Sequence, residues 1–408
     1  MSWLRRMWSR KFNQSSDDDY YREIQIPRFC LGITGVWSER GNTNRIRFFI
    51  SVTTVILFAA LPNLVDMLTT VNENQLFFQI GLVMFYYYLI SCMFLLHFNS
   101  QLRGSILEEM RDNWETIHSV EDKQVMRHYA ECSRKISFIF IALKVYTVFG
   151  KSAGCGWFNL IVSAFIRGEN VLAGTNKMKF LFHRSGTFVD ALGSTSFVIG
   201  DMLSNIASLG IDTCFTVLTV HTCGRLVILK NRITTYERQT RHHFEEDIPR
   251  MCSCLKCIVD AHVKIYDSVR RIDDYFHVVT FLRLSAGMIN FVCIGFEVSK
   301  AVKNKDYGFL MTFTNTAFLN FSTFFLNCET TEMCQQASYA LGHAAYSTEW
   351  LTKHPRISRN LIFIINQTRA PLKFTALKYF VLSRNLFKEY FITAISYIST
   401  LISIKLAE

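Results

Sequence analysis

Seven stretches of the chain are apolar for long enough to cross a bilayer: about 46–66, 76–97, 136–160, 190–222, 276–299, 307–328 and 386–405. A helix rises 1.5 Å per residue, so about 20 residues cover the roughly 30 Å hydrocarbon core. The third and fourth stretches are interrupted by Lys144, Lys151, Asp201 and Asp212. If the fourth continues as one helix towards Lys230, it outruns the bilayer and projects beyond it. Two connections are amphipathic. Leu102, Ile106, Leu107, Met110, Trp114 and Ile117 recur at helical spacing among charges in 98–135, and Ile248, Met251, Leu255, Ile258 and Val259 do so in 248–275. Such faces need a partner, and the simplest architecture packs both into a helical bundle beside the membrane, with 329–385 joining them to the last stretch.

That last stretch, LFKEYFITAISYISTLISIK, organises its polar residues. Thr393, Ser396, Thr400 and Ser403 follow at steps of three, four and three, which places them on one face of a helix. Phe391, Ile392, Ile395, Ile398, Leu401, Ile402 and Ile404 occupy the others. A hydroxyl stripe in a membrane helix is read as a packing face, because small polar residues allow close helix approach, or as a water-facing wall around a pore.

Composition agrees with a polytopic membrane protein. Half of the 408 residues are hydrophobic and only 19% are charged, below the usual quarter of a soluble domain. The net charge of +11 is spread between apolar stretches, which points to topology and not to nucleic acid. The N-terminal segment, 98–135, 221–275 and 329–385 carry 31 Lys and Arg; the alternate connections and the tail carry 8. The basic side is predicted to be cytosolic, with the N-terminus inside and the C-terminus outside. A G-protein-coupled receptor has the opposite N-terminal orientation, and the seventh stretch has no NPxxY. The predicted organisation is a cytosolic N-terminal tail (1–45) touching anionic headgroups, segments one to six with their connections (46–328), a cytosolic anchor connection (329–385), and a final helix with a short outer tail (386–408). No cleaved signal peptide is predicted.

Candidate chemistry is sparse. Cys252, Cys254 and Cys257 form CxCxxC near His262, but a second pair at matching spacing is missing, so reduced thiols are expected and no metal. Cys155 alone sits near the predicted outer face, so no disulfide framework is expected. His242 to Asp247 reads HHxxxD, a pattern with a general-base His in some acyltransferases, but at a solvated helix boundary before Pro249. With no phosphate loop, nucleophile elbow or carboxylate pair, neither an enzyme nor a cofactor is expected. The outer halves of segments two, three and six are rich in aromatics and Met, including Phe77, Phe78, Met84, Phe85, Tyr146, Phe149 and Phe313. A pocket among them would be greasy with a few hydroxyls, suited to a small volatile or lipophilic ligand. Lys144 and Asp212 fall at similar estimated depth and are predicted to form a structural ion pair.

Six short motifs, in order, resemble the insect odorant receptor family. They are LGITGVW (Leu31 to Trp37), DTCFTVLTVHTCGRLVIL (Asp212 to Leu229, including His221), CIVDAHVKIY (Cys257 to Tyr266), AAYSTEW (Ala344 to Trp350), APLKFTA (Ala370 to Ala376) and SYISTL (Ser396 to Leu401). Gustatory receptors share the fold and a related terminal TY motif with a later Gln-Phe; here Ser403 stands at that polar position, so the odorant branch fits better. The resemblance implies an all-α, seven-helix, N-inside subunit of a tetrameric, ligand-gated cation channel, embedded in membrane lipid and assembled with an odorant co-receptor. It implies a pore lined by the last helix at Thr393, Ser396, Thr400 and Ser403, with Thr400 and Ser403 at the gate, where the co-receptor has an aliphatic residue and Gln. Together with the missing co-receptor insertion between segments four and five, that implies a tuning subunit. It also implies an odour pocket among Phe78, Met84, Tyr146, Phe149, Phe197, Met202, Phe313 and Thr316. The family's cytosolic helices form an anchor where subunits meet.

Overall fold

The computed structural model of the chain describes residues 16–37, 42–69, 73–117, 119–154, 187–235, 255–305, 307–348, 355–370 and 372–407. These are almost entirely helical. Two short helices, α1 (Ser16–Glu23) and α2 (Gln25–Ile33), precede the first apolar run. That run is α3 (Asn42–Val55), a π-helical turn (Ile56–Ala60) and α4 (Leu61–Thr69). Then come α5 (Glu73–Phe98), α6 (Ser100–Thr116), α7 (Val120–Gly154), α8 (Thr187–Thr235), α9 (Leu255–Asn304), α10 (Tyr307–Ser347), α11 (Pro355–Thr368) and α12 (Arg384–Ala407). A two-stranded antiparallel hairpin, β1 (Thr375–Ala376) and β2 (Phe380–Val381), precedes α12.

Each predicted stretch lies within one helical run, though residues 155–160 of the third are outside the described residues. Among the described residues, four helices are long and apolar enough to cross a membrane: Asn44–Leu68, Leu76–Phe98, Ser196–Thr235 and Leu255–Asn304. The 49 residues of α8 and 50 of α9 make helices about 75 Å long, more than twice the hydrocarbon thickness. The predicted overshoot of segment four is therefore present, and the amphipathic 255–275 is the first half of the helix that becomes segment five. Likewise α10 runs on without a break from segment six to Ser347.

The main core sits in these extensions. Trp114, Met126, Leu226, Leu229, Ile258, Ile265, Leu341, Leu361 and Ile364 from α6 to α11 are buried in one cluster, so the amphipathic faces have found each other. Charges stitch its rim: Arg225 pairs with Glu109 at 2.9 Å, and Arg271 with the same carboxylate.

From Ser16 onward the N-terminal segment is folded into this bundle; the basic Met1 to Arg10, expected to touch headgroups, lies outside the described residues. Asp19 pairs with Arg127 at 2.8 Å. The buried Glu23 accepts from Trp114 Nε1 at 2.8 Å and meets His221 Nδ1 at 3.1 Å. The LGITGVW stretch forms a tight corner. Gly35 has φ +70°, and a Cβ there would lie 2.3 Å from the Phe48 backbone nitrogen, so only glycine fits. Arg103 Nη1 closes the corner by donating to Val36 O at 2.8 Å.

Candidate functional site: an outer cluster, a polar cavity and the last helix

Phe78 on α5 and the buried Phe313 on α10 meet edge to face, with centroids 5.4 Å apart. Tyr146 on α7 donates its hydroxyl to Asn315 Oδ1 at 3.0 Å, and Thr316 is half-buried on the next turn. These residues from three helices form the outer cluster. Phe197 on α8 is buried. Met84 and Met202 lie on other faces of their helices. At 100° per residue, Met84 lies about 120° around α5 from Phe78, and Met202 about 140° around α8 from Phe197. Met202 is indeed exposed, and Phe85 follows Phe78 on its face. The backbone of Phe149 is helical, and its side chain lies outside the described residues.

About two turns deeper than Phe78 lies a pocket of about 60 Å³ walled by α5, α7, α8, α9, α10 and α12. A smaller one of about 20 Å³ adjoins it, and both touch Tyr88, Asp212, Arg283, Leu284 and Phe324. Asp212 of the predicted Lys144–Asp212 pair has a further partner here. Asp212, 2% exposed, pairs with Arg283 of α9. Lys144 lines the same cavity and donates to Ser208 at 3.2 Å, one turn before Asp212 on α8. Depth estimated from span ends could bring Lys144 and Asp212 to one level. It could not show that Arg283 of α9 reaches the same level. Asparagines continue the polar lining: Asn290 Nδ2 donates to Gly81 O at 3.0 Å, and Asn320 Nδ2 to Asn290 Oδ1 at 3.3 Å.

The last helix shows two distinct faces. Phe387, Tyr390, Phe391, Ala394, Ile398, Leu401 and Ile402 are buried or half-buried at spacings of three and four. They pack on α9 and α10: Phe391 on Phe291 at 4.8 Å and Phe321 at 4.7 Å, Tyr390 on Phe324 at 4.8 Å. Two glycines of α9 seat this face. A Cβ at Gly287 would lie 2.9 Å from Tyr390 Oη, and one at Gly295 would lie 2.3 Å from Ile398 Cδ1. Thr393, Ser396, Thr400 and Ser403 all lie on the opposite, exposed side. Each donates its hydroxyl hydrogen to the carbonyl four residues back, at 2.8, 3.0, 2.9 and 2.9 Å respectively. The proton is thereby spent within the helix, and the remaining oxygen lone pairs face outward as acceptors. Within one subunit the stripe is therefore not a packing face.

At the base of α12 the hairpin is held under strain. Leu377 and Lys378 have φ of 49° and 63°, left-handed values that non-glycine residues rarely adopt. The buried Asp273 of α9 compensates by accepting from Thr375 N at 2.6 Å, from Thr375 Oγ1 and from Lys378 Nζ. Thr331 and Gln335 of α10 donate to Leu382 O at 3.1 and 2.9 Å. Sequence reading marked this turn only as a motif; the acidic pair Asp273–Asp274 beside a lone Lys378 was its available signal.

Residues 72–394 match the 7tm odorant receptor family, most of the chain's length. The chain belongs to this family. Odorant receptor 13a of Drosophila melanogaster is 25% identical over 206 residues, 47% of this chain and 48% of that protein. The chain thus spans about half the length of the curated relative it matches. Two solved structures of the insect olfactory receptor OR5 from Machilis hrabei, one in complex with eugenol, align with 95% of this chain and all of theirs. Their TM-scores are 0.77 and 0.78 at 15% and 14% identity, a likeness of fold. This odorant receptor family member is an all-α, seven-transmembrane protein. CxCxxC positions Cys252 and Cys254 and the HHxxxD motif lie outside its described residues, and among those described no three His, Cys, Asp or Glu cluster to hold a metal.

Proposed function

We propose that this chain is an odorant-tuning subunit of a ligand-gated, weakly selective cation channel in the plasma membrane. It sits with its N-terminus in the cytosol, assembled as a tetramer with an odorant co-receptor. The observation that carries the reading is the free hydroxyl stripe of α12, on the side away from the subunit's own packing. Several such helices around an axis would present rings of acceptor oxygens. These replace part of a cation's water shell without holding it tightly, as conduction requires. No charged residue lies among Thr393, Ser396, Thr400 and Ser403, so discrimination between cations is weak.

The ligand is a small volatile or lipophilic molecule held by the outer cluster. Phe78 and Phe313 supply apolar contact, and the Tyr146–Asn315 pair supplies a hydroxyl and a carboxamide to orient a polar group. Asn315 Nδ2 is buried with no partner, a donor left for a ligand oxygen. That eugenol, a ring with oxygen substituents, is the ligand of one related structure supports this chemistry. The basic extensions form the cytosolic anchor, joined to the pore helix through 329–385.

The test is a cysteine scan of residues 393–404, co-expressed with the co-receptor, with a charged thiol reagent applied during odorant exposure. Block is expected at 396, 400 and 403, with 394, 398 and 401 spared. Even block, or block only on the packed side, would remove α12 from the conduction path.

A further inference from the structure

We infer that Glu389 is the charged group that concentrates cations at the inner mouth of the conduction path; the inference rests on the pore and topology reading of α12. This helix carries four charged residues: Arg384, Lys388, Glu389 and Lys405. At 100° per residue, Thr393, Ser396, Thr400 and Ser403 all fall within about 40° of Glu389, whereas Lys388, Arg384 and Lys405 lie about 100°, 140° and 160° round the helix. Glu389 is thus the one charged residue of α12 on the hydroxyl stripe, and it is exposed. Its backbone carbonyl accepts the Thr393 hydroxyl at 2.8 Å. Its carboxylate is positioned from the same face: Asn385 Nδ2, one turn back, donates to Glu389 Oε1 at 2.7 Å. The amide is neutral, so the negative charge is kept. Arg384 is engaged on the other side, where its Nε donates to Glu329 Oε2 at 2.8 Å. Glu389 also lies inside the apolar stretch 386–405, about one turn from its start and about 16 Å along the axis from Thr400. A carboxylate exposed within a membrane span is costly against hydrocarbon and is tolerated where it meets water. The hydroxyls of the stripe offer acceptor dipoles, which coordinate a cation at close range. A fixed negative charge acts further out: a low-dielectric wall focuses its field and raises the local concentration of cations.

The test uses the full chain co-expressed with the co-receptor, in excised inside-out patches with odorant in the pipette. Outward single-channel conductance is read with the salt on the cytosolic face at about 10 mM or about 1 M, where the Debye length is about 30 Å or about 3 Å. A unit charge about 8 Å from the ion path changes the local cation concentration about twofold at the lower salt and hardly at all at the higher. Glu389→Gln should therefore cut the outward conductance about twofold at low salt and leave it unchanged at high salt. Asn385→Asp adds a carboxylate one turn back on the same stripe and should raise the low-salt conductance, which a damaged fold does not do. Equal conductance of native and Glu389→Gln channels at low salt overturns the inference. So does a fall of the same size at both salts, which is the mark of a steric change. Should Glu389→Gln give no current, Asn385→Asp decides alone, and the absence of a rise at low salt overturns the inference. The pore reading is judged separately by the cysteine scan: block at 396, 400 and 403 together with unaltered conductance in Glu389→Gln removes this charge from the mechanism and leaves α12 in the conduction path.

Discussion

Asp212→Asn is the most informative single change in the bundle. Asn keeps the volume of Asp, so it leaves no void, and its effect is electrostatic. In the native protein the Arg283 guanidinium is matched by the Asp212 carboxylate, itself 2% exposed, with Lys144 on the same cavity wall. Removing the carboxylate leaves two cations facing one cavity in a low-dielectric surrounding. Breaking one side of a buried pair costs about 3–5 kcal/mol, whereas replacing both partners by neutral groups is often close to neutral. Asp212→Asn and Arg283→Gln should each be strongly destabilising, and the double variant should recover most of the loss. The coupling in the cycle is then about 2–4 kcal/mol. Fluorescence-detected gel filtration after heating would read this as a fall of at least about 5 °C for Asp212→Asn. If that variant melts within a degree of the native protein, or if the double variant falls as far as the two singles together, the pair does not neutralise Arg283 as described.

Three further outcomes follow from the seating of the last helix. Gly295→Val drives a side chain into Ile398, whose Cδ1 would lie 2.3 Å from the new Cβ, at a cost of about 1–3 kcal/mol; Ile398→Ala should relieve it, which paired melting curves would show. Asp273→Ala strips the strained turn of its acceptor for Thr375 and Lys378 and should cost about 2–4 kcal/mol, with Lys378→Gly partly restoring it; equal melting of native and Asp273→Ala protein would mean the turn holds itself. The hydrogen bond from Arg384 keeps the Glu329 carboxyl below its ordinary 4.5 against the opposing effect of burial. This clasp stabilises the fold above about pH 5 and loses that contribution as the pH falls through the lowered value, because the unfolded state takes up the proton first. Arg384→Gln should flatten the dependence of Tm on pH between about 3 and 5.

The helices were legible because membrane length is a one-dimensional property, and so was the stripe on α12, because steps of three and four fix a face whatever the surroundings. Neighbours were not legible. Arg283 was in plain view within segment five, yet only the packing of α9 against α8 makes it the partner of Asp212. Met84 and Met202 were chosen by family position and soft apolar chemistry; counting 100° per residue places them on other faces than Phe78 and Phe197. In the segment from Ser16 to Trp37 only LGITGVW stood out, as a motif; its two helices are too short for periodicity to show. Its buried Glu23 gave a signal that only His221 and Trp114, both distant in sequence, could explain.

The two faces of α12 also separate two kinds of evolutionary constraint. Ala394, Ile398 and the rings of Tyr390 and Phe391 answer to α9 and α10 of their own chain, so substitutions there must be matched at Gly287, Gly295 or Phe324. Ser396, Thr400 and Ser403 are exposed on the subunit, and their hydroxyls are satisfied locally. They can drift towards smaller, larger or more polar groups without loss of folding. Duplicated copies of such a chain can therefore diverge along this one line of residues while sharing the same scaffold.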